Sequence, residues 1–135
     1  MVSIGIEYKG GLRCEAVHGP SGSRVETDAP ADNHGRAERF SPTDLVATAL
    51  GTCMSTIVGI LAQEEGWDLR GMRVEVEKVM GGPPRRITRL SVRIHMPIAL
   101  APVDRDRAEG ITRACPVAKS LHPDIDTDIQ FVWPS

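Results

Sequence analysis

Two thiols dominate the chemistry available to this chain. Cys53 stands inside "TALGTCMSTIVGIL" (Thr48 to Leu61), an apolar stretch without a single charge. Cys115 follows 62 residues later, in "TRACPVAK". A thiol so placed can be packing material, half of a disulfide, a metal ligand or a nucleophile. The third cysteine, Cys14, makes the count odd, and no Cys-x-x-Cys occurs. That pattern argues against a structural disulfide framework and against a zinc site. The histidines, His18, His34, His95 and His122, are scattered without a His-x-x-x-His pair, which argues against any metal.

Each thiol has a plain reading beside the reactive one. Free cysteine is among the most buried residue types and behaves as a small hydrophobe. In apolar surroundings its pKa rises and it is inert unless a cation lowers it. Cys53 lies three turns into a helix by this reading, too deep for the helix dipole to help. A reactive Cys53 therefore needs an arginine, lysine or histidine delivered by the fold. Cys115 precedes Pro116, and a residue before proline is pushed out of helical conformation. That places it at a helix break, in or near an N-cap, where its sulfur could meet free backbone N–H groups. A cap-adjacent small residue explains it equally well. Cys14, next to Arg13 on an expected strand, reads as filler.

The elements that must position these thiols follow from periodicity. Val2 to Tyr8, Leu12 to His18 and Ser23 to Thr27 read as three strands joined by the turns "KGG" and "GPSG". Ala29 to Arg39 is a polar loop. Ser41 as N-cap, Pro42 at the first helical position and Asp44 reaching back start a helix that Gly66 ends. Val46, Leu50, Cys53, Ile57 and Ile60/Leu61 recur along it at helical spacing. This helix is apolar or small nearly all round, so it must be covered on several sides. A second copy of the chain is the simplest cover, which predicts a homodimer. Arg73 to Val79 and Ile87 to Met96 are strands, the second expected to bulge near its start. Val103 to Ala114 and a short segment from Pro116 are helices, and Ile129 to Trp133 is a last strand. The order β-β-β-α-β-β-α-α-β specifies an α+β fold, with helices on a mainly antiparallel sheet.

Bulk properties narrow the function. The chain of 135 residues, 41% hydrophobic and 25% charged, suits one domain, 1–135. A net charge of −2 without a basic stripe, and only 4% aromatics, argue against nucleic-acid binding. The start "MVSIGIEYKGG" carries no basic region followed by an apolar one, so the expected location is cytoplasmic. Leu45 to Ala62 is uncharged over 18 residues, the lower limit of a membrane span. Its threonines, serine and glycines, and the lack of basic anchors, read instead as a soluble core helix. "GPSGSR" and "GGPPRR" match neither a P-loop nor a dinucleotide fingerprint, and no acyl-transfer motif appears. No cofactor is called for.

"RFSPTDLVATALGTCM" (Arg39 to Met54) followed by "ACPVAKSL" (Ala114 to Leu121) resembles the osmotically inducible protein C and organic hydroperoxide resistance family, OsmC/Ohr. "YKGGLR" (Tyr8 to Arg13) is similar to its opening hairpin, and "RITRLSVRIHMP" (Arg86 to Pro97) to its long middle strand. The resemblance implies an intertwined α+β homodimer with the long helices central, and thiol-dependent reduction of organic hydroperoxides in oxidative-stress defence. It casts Cys53 as the attacking cysteine, Cys115 as its resolving, disulfide-forming partner, and Arg13 as the activating arginine. It implies a small thiol or a lipoylated protein as reductant. An OsmC-like ligand-binding or redox-sensing dimer is the alternative on the same scaffold. One position departs from the pattern. Peroxidase members carry a glutamate ten residues before the attacking cysteine, which holds the arginine; here that position is Thr43. Asp44 reads as a helix cap, and Glu38 and Glu26 are the other carboxylates that could take the place.

Overall fold

The computed structural model describes every residue from Met1 to Ser135. The chain divides into two compact units, Met1–Val46 and Ala47–Ser135. The architecture is α+β, in the element order expected from periodicity.

The first unit is an antiparallel three-stranded sheet of β1 (Ile4–Gly10), β2 (Arg13–His18) and β3 (Arg24–Asp28). Alternation sorts its side chains. Ile4, Ile6, Tyr8, Cys14, Ala16 and Val25 share one face, and Glu7, Arg13, Glu15, Glu26 and Asp28 share the other. The tight β1–β2 turn places Gly10, Gly11 and Leu12 in succession at φ 84°, 62° and 65°. Two glycines make that left-handed run affordable. A 3-10 turn, Ala31–Asn33, opens the loop that returns the chain to β3, where Asp28 N–H donates to Phe40 O at 3.1 Å.

The long helix α1 (Pro42–Glu65) begins at the end of this unit. Its start is a capping box: Ser41 N–H donates to Asp44 Oδ2 at 2.9 Å, and Asp44 N–H donates to Ser41 Oγ at 3.1 Å. It stops at Gly66, φ 76°, with Trp67 N–H returning to Ala62 O at 2.9 Å. By length and composition α1 could cross a membrane. From Ala47 to Ala62 its buried residues belong to the core of the second unit.

The second unit pairs β4 (Arg73–Gly81) antiparallel with β5 (Arg86–His95), and β5 parallel with β6 (Asp126–Val132). Helices α2 (Pro102–Thr112) and α3 (Pro116–Ser120) form the crossover between those parallel strands. The register shift at Val79/Met80 confirms the bulge expected near the start of β5. Leu50, Met54 and Val58 of α1 and Leu90 and Ile94 of β5 are fully buried. A Cβ at Gly51 would lie 2.9 Å from Val76 Cγ2, so glycine sets how closely α1 sits on β4. That close approach turns the helix. Its buried stripe is Ala47, Leu50, Gly51, Met54, Val58, Leu61 and Ala62. Cys53 and Ile57, expected on the core stripe, are half-buried on the neighbouring face, and Ile60 is 51% exposed.

Candidate functional site

The thiols meet in the second unit. Cys53 projects from the half-open face of α1. Cys115, fully buried, is the N-cap of α3, with extended backbone (φ −63°, ψ 138°). Its sulfur accepts the Ala118 N–H at 3.3 Å, the role its place before Pro116 suggested. Burial pushes the Cys115 thiol above its ordinary pKa. The N–H groups of Ala118 and Val117 pull the other way. A side-chain hydrogen bond with Cys53, and the repulsion a charge on Cys53 would exert, add to the rise. Cys115 is therefore held as a protonated thiol against Cys53. All three cysteines are free.

Beside the pair lies an open groove of about 460 Å³. Ala49, Cys53, Ile57 and Ile60 of α1 form one wall, and Pro116 and Val117 of α3 the other. Thr52 and Thr56 also border it, but their hydroxyls donate to Thr48 O and Thr52 O, each at 2.8 Å. With the hydroxyls spent on the helix, the groove is apolar except for sulfur. Its size suits a small organic molecule.

Arg13 belongs to the first unit, as the opening residue of β2. Its Nη2 lies 2.9 Å from Glu38 Oε2 and 3.7 Å from Asp28 Oδ2. The Glu38 hydrogen bond first, then the charges of Glu38, Asp28 and Glu26, raise its pKa and keep it cationic. Of the three carboxylates proposed from sequence to stand in for the missing glutamate, Glu38 is the one bonded to Arg13. Glu26 accepts from Arg39 Nε at 3.1 Å, and Asp44 caps α1. Thr43 sits in the first turn of α1, its hydroxyl 3.2 Å from Ser41 Oγ. Asp28, which sequence reasoning passed over, is a cross-strand partner of Arg13, with a side chain only 1% exposed. Cys14 is half-buried on β2 between Tyr8 and Thr27. Of the histidines, His95 lies 3.0 Å from Glu75, and His122 accepts the Asp124 N–H at 3.0 Å. No cluster of three or more His, Cys, Asp or Glu side chains could hold a metal ion.

An osmotic stress induced and detoxification response protein from Psychrobacter arcticus is 41% identical, with TM-score 0.94 over 98% of this chain and 96% of that one. An organic hydroperoxide resistance protein OsmC from Legionella pneumophila is 13% identical, with TM-score 0.76 over 97% and 96%. OhrB of Bacillus subtilis, an organic hydroperoxide resistance protein, is 13% identical with TM-score 0.68 over 98% of each chain; these two likenesses are of fold alone. No curated protein matches the chain. Residues 34–130, which include both thiols of the pair, match the family described as OsmC-like protein. By that match and by its 41% identity to the Psychrobacter protein, the chain belongs to the OsmC-like family, whose structures include organic hydroperoxide resistance proteins.

Proposed function

We propose that the protein is a thiol peroxidase that reduces organic hydroperoxides, working as a homodimer in the cytoplasm. One observation carries the reading: Cys53 lines an apolar groove, and the buried Cys115 thiol is near enough for the two sulfurs to influence each other. The groove would take the alkyl part of the substrate, since apolar burial rewards apolar area, and so favours organic hydroperoxides over hydrogen peroxide. Arg13 is assigned as the cation that ionises Cys53 and hydrogen-bonds the peroxide oxygens, a task suited to a group that stays charged. The Cys53 thiolate attacks the terminal peroxide oxygen and the O–O bond breaks. The alkoxide leaves and takes a proton to become the alcohol, and Cys53 is left as a sulfenic acid. Cys115 sulfur then displaces that hydroxyl as water, forming a Cys53–Cys115 disulfide. Two external thiol equivalents, from a small thiol or a lipoylated protein, restore both sulfurs. The exposed apolar face of the first sheet, with Ile4 59%, Ile6 71% and Tyr8 63% exposed, supports a covering second copy.

Brief exposure to near-stoichiometric cumene hydroperoxide, followed by non-reducing peptide mapping, tests the reading. A Cys53–Cys115 bridge within seconds is expected. Cys53→Ser should lose all turnover, and Cys115→Ser should react once and then over-oxidise. Slow oxidation spread over all three cysteines would instead indicate a ligand-binding or sensing protein. Sedimentation velocity tests the dimer.

A further inference from the structure

We propose that thiol–disulfide exchange enters this protein through Cys53: an incoming small thiol bonds to the Cys53 sulfur, and the first sulfur released is that of Cys115. This rests on the reading that the two cysteines form a bridge during turnover. The two sulfurs differ first in access. Cys53 borders the open groove of about 460 Å³, on the half-open face of α1. Cys115 has no exposed surface. Pro116 and Val117, which follow it, form the groove wall, so α3 presents its first turn to the groove in place of the sulfur. Cys115 is also tied at every polar atom. Its N–H donates to Thr112 O at 3.2 Å, its C=O accepts the Lys119 N–H at 3.1 Å, and its sulfur accepts the Ala118 N–H at 3.3 Å. Thr112 is itself fully buried at the end of α2. Cys115 therefore cannot swing toward the groove without opening the ends of two helices.

Exchange is a displacement at sulfur, and its rate depends on which sulfur can be reached and on how well the other one leaves. Attack from the groove forms an S–S bond between Cys53 and the small thiol. The Cys53–Cys115 bond breaks, and its electron pair leaves on Cys115. Cys115 then takes up the proton that the incoming thiol gave up on ionising. A second small thiolate displaces Cys53 from the mixed disulfide, so two small thiols depart as their disulfide and both cysteines are reduced. The opposite order would expel Cys53 as a thiolate from the middle of α1, where the backbone N–H groups are spent inside the helix. Cys115, once released, has the Ala118 N–H. Burial works against it as a leaving group, because it raises the thiol pKa. Access decides between these effects, since a sulfur that the thiol cannot reach is not attacked. The same burial returns Cys115 to its protonated form, which slows its attack back on the mixed disulfide and lets that adduct be trapped.

The experiment bridges the wild type with diamide, which needs no peroxide chemistry, and treats it briefly with limiting mercaptoethanol. Excess N-ethylmaleimide in denaturant then blocks free thiols, and peptide mass spectrometry reads each cysteine. Mercaptoethanol on Cys53 with N-ethylmaleimide on Cys115 should exceed the reverse pattern by on the order of tenfold or more, as a buried thiol is inert. A second measurement uses reduced Cys53→Ser, in which Cys115 stands without its partner. Labelling of Cys115 by dithiodipyridine should be slower in native buffer than in urea by on the order of a hundredfold, because a buried group reacts only when the structure around it opens. Mercaptoethanol on Cys115, or an even split between the two, would overturn the order of exchange. So would labelling of Cys115 that is equally fast with and without urea. If diamide joins no Cys53–Cys115 bridge, the pairing itself fails and takes the order of exchange with it. A bridge that diamide forms and cumene hydroperoxide does not would overturn the peroxidase reading alone.

Discussion

Arg13 and Cys115 are both held in place by their surroundings, but by different physics. Arg13 is 35% exposed and is fixed by charge, through one carboxylate in water and one nearly out of it. Cys115 is fixed by packing, with no exposed surface and one backbone N–H on its sulfur. Charge acts at a distance and tolerates loosening of the fold around it; packing does not. The two regions should therefore fail differently. Damage around the thiols should appear as lost stability. Damage around the arginine should appear as lost reactivity in a protein that still folds.

The largest expected effect tests the packing side. Leu50 is fully buried on the face of α1 that meets the sheet. Leu50→Ala should cost about 2–5 kcal/mol, the transfer term plus the cavity it leaves. Urea unfolding measures it. A loss well under ~1 kcal/mol would mean that α1 is not packed as its burial indicates, and the contrast with the exposed charges of the first unit would vanish.

That contrast also explains which features could be read from the sequence. Local features were legible. The Ser41/Asp44 capping box, the Gly66 stop and the capping role of Cys115 each depend on residues within one turn of each other. The orientation of α1 was not legible. A helix apolar nearly all round has no single dominant stripe, so Val46, Cys53, Ile57 and Ile60 looked as much like core as Met54 and Val58 do. The decision came from Gly51, which lets Val76 approach and turns Cys53 toward the groove. On the charge side, Asp28 was nearly within reach. The antiparallel pairing of β2 with β3 sets Arg13 opposite Asp28, one residue beyond the strand end expected from sequence. Glu38 could be named only as one of three candidates, because a loop closed by backbone hydrogen bonds leaves no periodic trace. The parallel pairing of β6 also escaped, since alternation marks a strand without giving its direction.

A smaller effect sharpens the packing side through pH. The Cys115 pKa is raised in the folded chain, chiefly by burial. Below the ordinary thiol pKa, about 8.5, both the folded and the unfolded chain keep the proton. Above it the unfolded chain releases a proton that the folded chain retains, so the unfolded state binds fewer protons. Stability then falls as pH rises, until the folded thiol also ionises. Comparing urea midpoints of the wild type and Cys115→Ala at pH 7 and pH 10 reads the effect of Cys115 together with its coupling to Cys53. The wild type should lose ground against the variant at the higher pH. A gap that stays constant would mean that burial does not hold the Cys115 proton.

The smallest expected effect guards the charge side. Glu26 and Glu38 are both exposed glutamates of the first unit, and each pairs with an arginine. Glu26 accepts from Arg39 at 3.1 Å, and both side chains of that pair are about half exposed, at 56% and 48%. Such a pair is worth about 0–1 kcal/mol, because water screens it and two long side chains must be ordered to form it. Glu26→Ala should therefore move the urea midpoint by no more than that. A shift well beyond about 1 kcal/mol would mean that this exposed pair is not screened as its geometry indicates, and that charge in the first unit carries stability of the kind assigned to packing in the second.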